Sequence, residues 1–347
     1  MKKMVKNFIP LGGRHCITNA LKQVFCYHSH PLTEEMIFGI ASGLAFAYIN
    51  LANSPMVSGR TKPFEFESKL AERLNISIRC KQPKNYELAF AQTKKLLDNN
   101  LPILVYVDMP FLSYLDLDKN SHFGGHAIVI AGYDDAENLF YVSDRDNHDY
   151  PIRTPRGSIA QDYHAVRFEE MALARNSNFR PFPANNKYIA FDFSDFRPIT
   201  SEVIACAIAD TCERMLNPPA NLLGLNGIYK FSKEIEKWAK FDVEKRKIAG
   251  ITNYFQINGD GGTGGGIFRN MYGDFLKEAD SFLPQKGLLD MGAKYKELAA
   301  KWDLLADIMW LLGETGDTQL LGKMSREILE LYKMEQFLLE KLHALIQ

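Results

Sequence analysis

The order in which helical and strand patterns follow one another most constrains the fold of this chain. Helical periodicity dominates up to about residue 100, apolar strand-like runs then follow as a group, and helical periodicity returns after about residue 200. Because strands and helices are segregated along the chain, we expect an α+β fold with an antiparallel sheet. Helical patterns begin at or just after Cys16 and after Thr33, and cover Phe64–Leu74 and Tyr86–Leu97; strand patterns are Ile76–Cys80, Pro102–Val107, His126–Ile130 closed by Gly132, and Leu139–Val142.

The stretch Pro151–Pro198 is irregular and rich in proline, asparagine, arginine and phenylalanine. We place a domain boundary near its end, which predicts an N-terminal domain at residues 1–195 and a mostly helical domain at residues 196–347. The helical patterns of the second domain are Ser201–Met215, Ile228–Phe241, Ile267–Ala279 and Ala293–Gln347.

Composition and charge exclude several classes of protein. The chain has 347 residues, of which 46% are hydrophobic and 24% charged, and its net charge is -1 with the signs well mixed. No basic stripe predicts nucleic-acid binding, and no apolar stretch is long enough to predict a membrane span. Glycines and an arginine interrupt the N-terminus where a signal peptide would be apolar, and the five cysteines are scattered. We therefore expect a soluble, cytoplasmic protein with reduced thiols.

Cys16 is the cysteine whose position predicts chemistry. A thiol attacks as its thiolate, which a helix N-terminus and a neighbouring imidazole stabilise. Cys16 lies where a loop containing Gly12 and Gly13 becomes a helix, so first-turn amides would face its sulfur and any oxyanion formed there. The other cysteines, at positions 26, 80, 206 and 212, are read as small buried hydrophobic residues.

A base and an orienting group follow on neighbouring strands. His126 begins one strand pattern after two glycines, and Asp144 ends the next, so a short turn can bring both side chains together. His126 is the predicted base, and Asp144 would hold its imidazole in the useful tautomer. His122 is the rival base and Asn147 the rival for the role of Asp144. Asp146 is expected to be solvated.

Several other features have both a structural and a functional interpretation. His15 either tunes the thiolate and donates to an oxyanion or packs beside the helix. His28 and His30 lack a third ligand, so a polar turn is favoured and no metal is expected. The glycine-rich segment Gly259–Gly266 lacks a preceding strand and is read as a flexible loop; an anion site there, helped by Arg269, is the functional alternative.

The segments that contain these residues resemble known families. The segment RHCITNALKQVFCYHSHPLTEEMIFGIASGLAFAY resembles the N-terminal domain of the butirosin biosynthesis protein H-like family, while LLGLNGIYKFSKEIEKW and GGGIFRNMYGDFLKEA are similar to the domain that follows it. The order of cysteine, histidine and acidic residue is also that of papain-like enzymes, and HAIVIAGYD followed by LFYVSD resembles bacteriocin-processing cysteine peptidases. The resemblance implies a papain-like N-terminal domain.

The family's butirosin enzyme moves an aminoacyl group from a carrier-protein thioester to an aminoglycoside amine. The resemblance therefore implies an acyltransferase that needs no cofactor, takes its donor from an acyl carrier protein or coenzyme A, and uses a small-molecule amine acceptor; self-association is left open. Papain-like peptidases carry a glutamine before the nucleophile as an oxyanion donor, and residues 8–15 contain none. Arg14, His15 or backbone amides would have to serve. The alternatives are a cysteine peptidase or amidase and a non-catalytic scaffold that binds a carrier protein or peptide.

Overall fold

The computed structural model describes residues 1–50, 55–155, 157–180, 182–284 and 286–347. The chain forms two compact units, the first made of Met1–Ile37 and Asn75–Phe196 and the second of Phe38–Leu74 and Arg197–Gln347. The chain thus leaves the first unit after residue 37 and returns to it at residue 75. A single boundary between residues 195 and 196 does not include this excursion. That linear division into domains stays a prediction.

The first unit is an α+β unit built on one antiparallel sheet. Its strands are β1 (Lys2–Met4), β4 (Ser77–Lys81), β5 (Ile103–Val107), β6 (His126–Asp134), β7 (Leu139–Ser143), β10 (His164–Arg167) and β11 (Tyr188–Asp192), with a separate pair β8 (Ile152–Thr154) and β9 (Gly157–Ile159). The helices are α1 (Cys16–Tyr27), α2 (Glu34–Ile40, which crosses into the second unit), α4 (Tyr86–Asp98) and α5 (Phe168–Asn176). The sheet has the strand order β10-β7-β6-β5-β11-β4, and β1 pairs with the far part of β6.

The centre of this sheet positions the candidate site. Every residue of β5 and of β6 is buried, as their apolar runs predict. In the register of this pair His126 lies opposite Val107, so the histidine is fixed at one end of two rigid strands. Helix α1 buries Ile17, Leu21 and Val24, which gives the start of the helix a fixed position.

Two expectations for this region are wrong. Strand β6 does not stop at Gly132 but continues to Asp134, because β1 pairs with it there and the sulfur of Met4 occupies the space that a Cβ at Gly132 would fill. The stretch Pro151–Pro198 is not irregular, since it contains β8 to β11 and α5. These elements are short, and most show no clear apolar alternation, so periodicity does not reveal them.

The second unit is mostly helical. Its helices are α3 (Glu65–Leu74), α6 (Ser201–Leu216), α7 (Gly224–Glu234), α8 (Val243–Ile257), α9 (Arg269–Ala279), α10 (Leu288–Thr315) and α11 (Gln319–Ile346), and it includes the antiparallel strands β2 (Leu44–Asn50) and β3 (Pro55–Arg60). Its core is built around large aromatic side chains, among them Trp238, Trp302 and Tyr295. Throughout the described part of the chain, no helix combines the length and the apolar character needed to cross a membrane.

The helix boundaries of this unit differ from the predicted ones for local reasons. The long pattern Ala293–Gln347 is divided into α10 and α11 at Gly316, whose positive φ of 66° ends the first helix. Helix α9 begins at Arg269 because Ile267 and Phe268 have left-handed backbone angles. Helix α8 was not predicted at all; it exposes Ile248 and buries Arg246, which obscures its apolar face.

A buried ion pair stabilises this left-handed segment. The side chains of Arg269 and Glu335 are both fully buried, and the guanidinium donates to the carboxylate at 2.7 Å. Arg269 also donates to the carbonyl of Ile267 at 2.8 Å and to that of Ala45 at 3.1 Å. Ile267 is β-branched, so its φ of 49° is strained. The hydrogen bond from Arg269 to the carbonyl of Ile267 helps to hold this strained conformation.

Replacing Glu335 by leucine should lower the free energy of unfolding by roughly 3–5 kcal/mol, because it leaves a guanidinium buried without its counter-charge. The matched control is Glu330→Leu on the same helix, whose exposed pair with Lys333 should contribute less than about 1 kcal/mol. Urea titrations of both variants measure the difference. Equal losses in the two variants would show that the buried pair has no special role.

Candidate active site

Cys16 is the first residue of α1 and is partly exposed. His15 before it is extended, with φ of -131°, so the chain turns into the helix at the cysteine itself. This confirms the predicted loop-to-helix position. The positive end of the helix dipole therefore lies at Cys16, where it favours a thiolate over a thiol.

His126 contacts both Cys16 and Asp144. Its ring is buried at the start of β6, and Nε2 lies 2.7 Å from Oδ2 of Asp144. A hydrogen bond with the side chain of Cys16 is among the interactions that raise the pKa of His126. Because Asp144 occupies Nε2, Nδ1 is the nitrogen left for the sulfur. The three side chains predicted as a triad thus form one connected chain of contacts.

The electrostatics of this group favour an imidazolium. Burial alone lowers the pKa of His126, but the charge and hydrogen bond of Asp144, followed by those of Cys16, raise it to about 10. Burial likewise raises the pKa of Asp144, and this is outweighed by the charge and hydrogen bond of His126 and by Arg145, so that it falls to about 2. Asp144 is therefore a carboxylate at neutral pH, and a protonated His126 beside Cys16 stabilises a thiolate.

The backbone that carries Asp144 is bonded directly to the Cys16 segment. The amide of Gly13 donates to the carbonyl of Arg145 at 2.7 Å, and the side-chain amide of Asn19 donates to the carbonyl of Asp144 at 3.1 Å. The amide of Arg145 donates to Oδ1 of Asp144 at 2.7 Å. The bonds of Gly13 and Asn19 lie on either side of Cys16 and hold the Cys16 and Asp144 segments together across 125 or more residues of sequence.

Glu34 is a site residue that sequence reasoning missed. Its carboxylate is buried and accepts the amides of Arg14 at 2.8 Å and His15 at 3.1 Å, together with the hydroxyl of Thr18 at 2.8 Å. Burial raises the pKa of Glu34 even though these donors oppose the shift. Thr33 caps α2 through the amide of Met36. An acidic residue is common in the first turn of a capped helix. The position of Glu34 in the sequence therefore gave no sign that it also accepts the amides of Arg14 and His15.

The backbone amides of Arg14 and His15 both donate to Glu34. The role of Arg14 and His15 as oxyanion donors stays a prediction. The guanidinium of Arg14 lies 3.4 Å from Glu35, and Nδ1 of His15 lies 3.2 Å from the hydroxyl of Thr18. These residues therefore shape the loop before Cys16. Gly13 permits that shape, because a Cβ there would overlap the carboxylate of Glu34.

The two rival residues have other partners. Nδ1 of His122 lies 2.8 Å from Oδ2 of Asp108, and that carboxylate also accepts the hydroxyl of Ser177. Asp108 follows Val107 in extended conformation, so strand alternation directs it to the face opposite His126. Asn147 accepts backbone amides of its own turn, at Asp149 and Tyr150.

Asp146 is not solvated as expected. Its carboxylate is buried and lies 2.8 Å from Nε2 of His164, and it accepts the amide of Gln161 at 2.9 Å. The first unit therefore contains a second buried aspartate–histidine pair beside the first. No sequence pattern indicated His164, since its strand is short and lies in the stretch that we read as irregular.

Arg269 is not accessible to an anion in this structure, which counts against the functional alternative of an anion site helped by Arg269. Its guanidinium is fully buried against Glu335. The rings of His28 and His30 stack on Phe193 and Phe196, in agreement with the structural interpretation of this pair. Within the described ranges, no three His, Cys, Asp or Glu side chains are grouped so that they could hold a metal ion.

Comparisons with known proteins identify two family models in the chain. Residues 15–145 match the model described as Butirosin biosynthesis protein H, N-terminal. Residues 169–342, just over half of the chain, match the model described as Domain of unknown function (DUF4872). None of the curated proteins matches the chain.

Replacing Asp144 by asparagine should destabilise the fold in a pH-dependent way. The pKa of His126 is raised from 6.5 to about 10, so its pairing stabilises the fold fully below pH 6.5 and is lost as pH rises through 10. The pKa of Asp144 is lowered from 3.8 to about 2, so its contribution is present above pH 3.8 and is lost as pH falls through 2. The loss in free energy of unfolding should be largest, at roughly 3–5 kcal/mol, between pH 3.8 and pH 6.5.

Urea titrations across this range measure the difference from the wild type. Asp149→Asn is the control, since that carboxylate is 81% exposed and should change stability by less than about 1 kcal/mol at every pH. A loss for Asp144→Asn that is the same at pH 5 and pH 10 would contradict the ion pair.

Proposed function

Because the chain belongs to the butirosin biosynthesis protein H-like family, in which the N-terminal domain is followed by the DUF4872 domain, we propose that it is a cysteine-dependent acyltransferase of secondary metabolism. It moves an acyl or aminoacyl group from a thioester to an amine acceptor through an acyl-Cys16 intermediate. The donor thiol belongs to an acyl carrier protein or coenzyme A, and the acceptor is a small molecule. We also propose that the first unit is papain-like.

The observation that carries the proposal is the contact of His126 with both Cys16 and Asp144. A nucleophile, a base and a group that orients the base are the minimum for covalent acyl transfer. The nucleophile at a helix N-terminus, the base at the start of a strand and the carboxylate after the next strand support the papain-like assignment.

The first half of the reaction forms the acyl-enzyme. With the proton of Cys16 on His126, the thiolate attacks the thioester carbonyl and forms a C–S bond. Asp144 keeps Nε2 occupied, so the proton stays on the nitrogen that faces the sulfur. The tetrahedral intermediate collapses, the C–S bond to the donor breaks, and the imidazolium protonates the departing thiolate.

The second half returns the enzyme to its starting state. The acceptor amine attacks the acyl-Cys16 carbonyl while His126 takes a proton from its nitrogen. Collapse of this intermediate forms the amide, breaks the bond to Cys16 and leaves the thiolate beside the imidazolium. The net reaction converts a thioester and an amine into an amide and a thiol, without an oxidant, a reductant or a further group.

The loop before Cys16 favours thioester donors. An unactivated amide needs strong oxyanion stabilisation, and the loss of one donor typically costs about 100-fold in rate. Here the glutamine of papain-like peptidases has no counterpart in residues 8–15, and the amides of Arg14 and His15 donate to Glu34. A thioester has a better leaving group, so the dipole of α1 and fewer donors suffice for acyl transfer.

Incubation with acyl-pantetheine thioesters should add the mass of one acyl group to the protein, and peptide mapping should place it on Cys16. An added amine should discharge the adduct at least tenfold faster than water does. Cys16→Ser should form little or no adduct, because a hydroxyl is a far weaker nucleophile than a thiolate. Cys206→Ser, which changes an exposed cysteine of the second unit, is the matched control and should behave as the wild type.

Several acyl chains are needed, since the acyl group is unknown. Multiple turnovers on peptides without any reaction with thioesters would replace the proposal by a peptidase. Absence of both adduct and turnover over a broad set of chains would favour a binding scaffold.

A further inference from the structure

A tyrosine bridges the two buried aspartate–histidine pairs of the first unit. Tyr114 lies in the short 3₁₀ turn Ser113–Leu115, and its hydroxyl donates to Oδ2 of Asp144 at 2.9 Å. This is the same oxygen that lies 2.7 Å from Nε2 of His126. Asp144 therefore has two partners on one oxygen and the amide of Arg145 on the other.

The other side of the tyrosine is fixed by the second pair. The ring of Tyr114 stacks on that of His164, with centroids 3.8 Å apart and an interplanar angle of 10°. His164 is held in turn by Asp146, whose two oxygens lie 2.8 and 3.0 Å from Nε2. All four polar side chains of these pairs are buried, so little water is available to replace a lost partner.

The geometry of β7 explains why the pairs come together. Asp144 and Asp146 follow β7 directly, and the neighbours of β7 in the sheet are β6, which begins with His126, and β10, which begins with His164. Each aspartate thus reaches a histidine on a different flanking strand. Tyr114 covers the gap between the two pairs and contacts a member of each.

We infer that Tyr114 is a positioning residue for the triad, and that the His164–Asp146 pair is the platform that fixes its ring. Tyr114 acts through Asp144: its hydroxyl prevents the carboxylate from rotating away from His126 and so keeps the imidazolium directed at Cys16. The inference rests on the proposed function only for the use of Cys16 as a nucleophile.

Tyr114 is suited to this role because it stays a donor. Burial, then the charge of Asp144, raises the pKa of Tyr114 well above its usual value of 10, so its hydroxyl is protonated at neutral pH. The charged or titratable groups that face Asp144 are His126, Arg145 and Tyr114, while Asp146 faces Tyr114.

The test is a double-mutant cycle on the alkylation of Cys16 by iodoacetamide, followed against pH. Tyr114→Phe keeps the ring and its stack but removes the hydroxyl. It should slow alkylation at pH 6 by about tenfold and move the pH midpoint up by about one unit, because a loosened carboxylate supports the imidazolium less well. In an Asp144→Asn background the same change should alter the rate less than twofold, since Tyr114 then has no carboxylate to position.

Tyr163→Phe is the matched control, because that hydroxyl donates only weakly, at 3.5 Å, to the carbonyl of Phe8. It should leave both rate and midpoint unchanged. His164→Leu removes the stacked ring and should shift the midpoint in the same direction as Tyr114→Phe, with circular dichroism reporting that each variant is folded. An unchanged midpoint in Tyr114→Phe, or an equal effect in both backgrounds, would overturn the inference.

Alkylation does not require acyl transfer, so the two proposals fail separately. A protein that forms no acyl adduct but shows the coupled shift keeps the positioning role and loses the proposed function. A protein that forms the adduct without the coupled shift keeps the function and loses the role of Tyr114.

Discussion

The hydrogen bond between Asp144 and His126 determines most of what the site can do. Without the carboxylate, a buried imidazole would be neutral, since burial lowers its pKa. With it, His126 is a cation beside Cys16, and the sulfur has both a helix N-terminus and an imidazolium to stabilise its charge. Strands β6 and β7 bring His126 and Asp144 together. The hydrogen bonds of Gly13 and Asn19 attach the Cys16 segment to the segment that carries Asp144.

A second constraint lies in the loop before Cys16. Glu34 gathers the amides of Arg14 and His15 and the hydroxyl of Thr18, so a buried carboxylate fixes the approach to α1. The same bonds remove two amides from any oxyanion site. Under the proposed function, a loop whose amides are held by Glu34 in this way favours activated carbonyls over peptides as donors.

Local patterns predicted much of the first unit and less of the second. The position of Cys16 followed from a loop, a helix start and an apolar face, and His126 and Asp144 from two neighbouring strands, all visible within short windows of sequence. The assignment of residues 38–74 to the second unit depends on contacts with residues beyond 196, which no local pattern encodes. The roles of Glu34, Tyr114 and His164 were not predicted for the same reason, since each depends on a partner that is distant in sequence. Arg269 was considered for an anion site because a basic residue after glycines is typical of one. The sequence does not show that Glu335 is its buried partner.

The most direct test of a thiolate–imidazolium pair is the pH dependence of Cys16 ionisation, measured as the thiolate ultraviolet absorbance that Cys16→Ser removes. This absorbance should already be present at pH 6, well below the free-thiol midpoint of about 8.5, and His126→Gln should move the midpoint up toward that value. A Cys16 midpoint at or above about 8.5 in the wild-type protein, unchanged by His126→Gln, would contradict a thiolate–imidazolium pair.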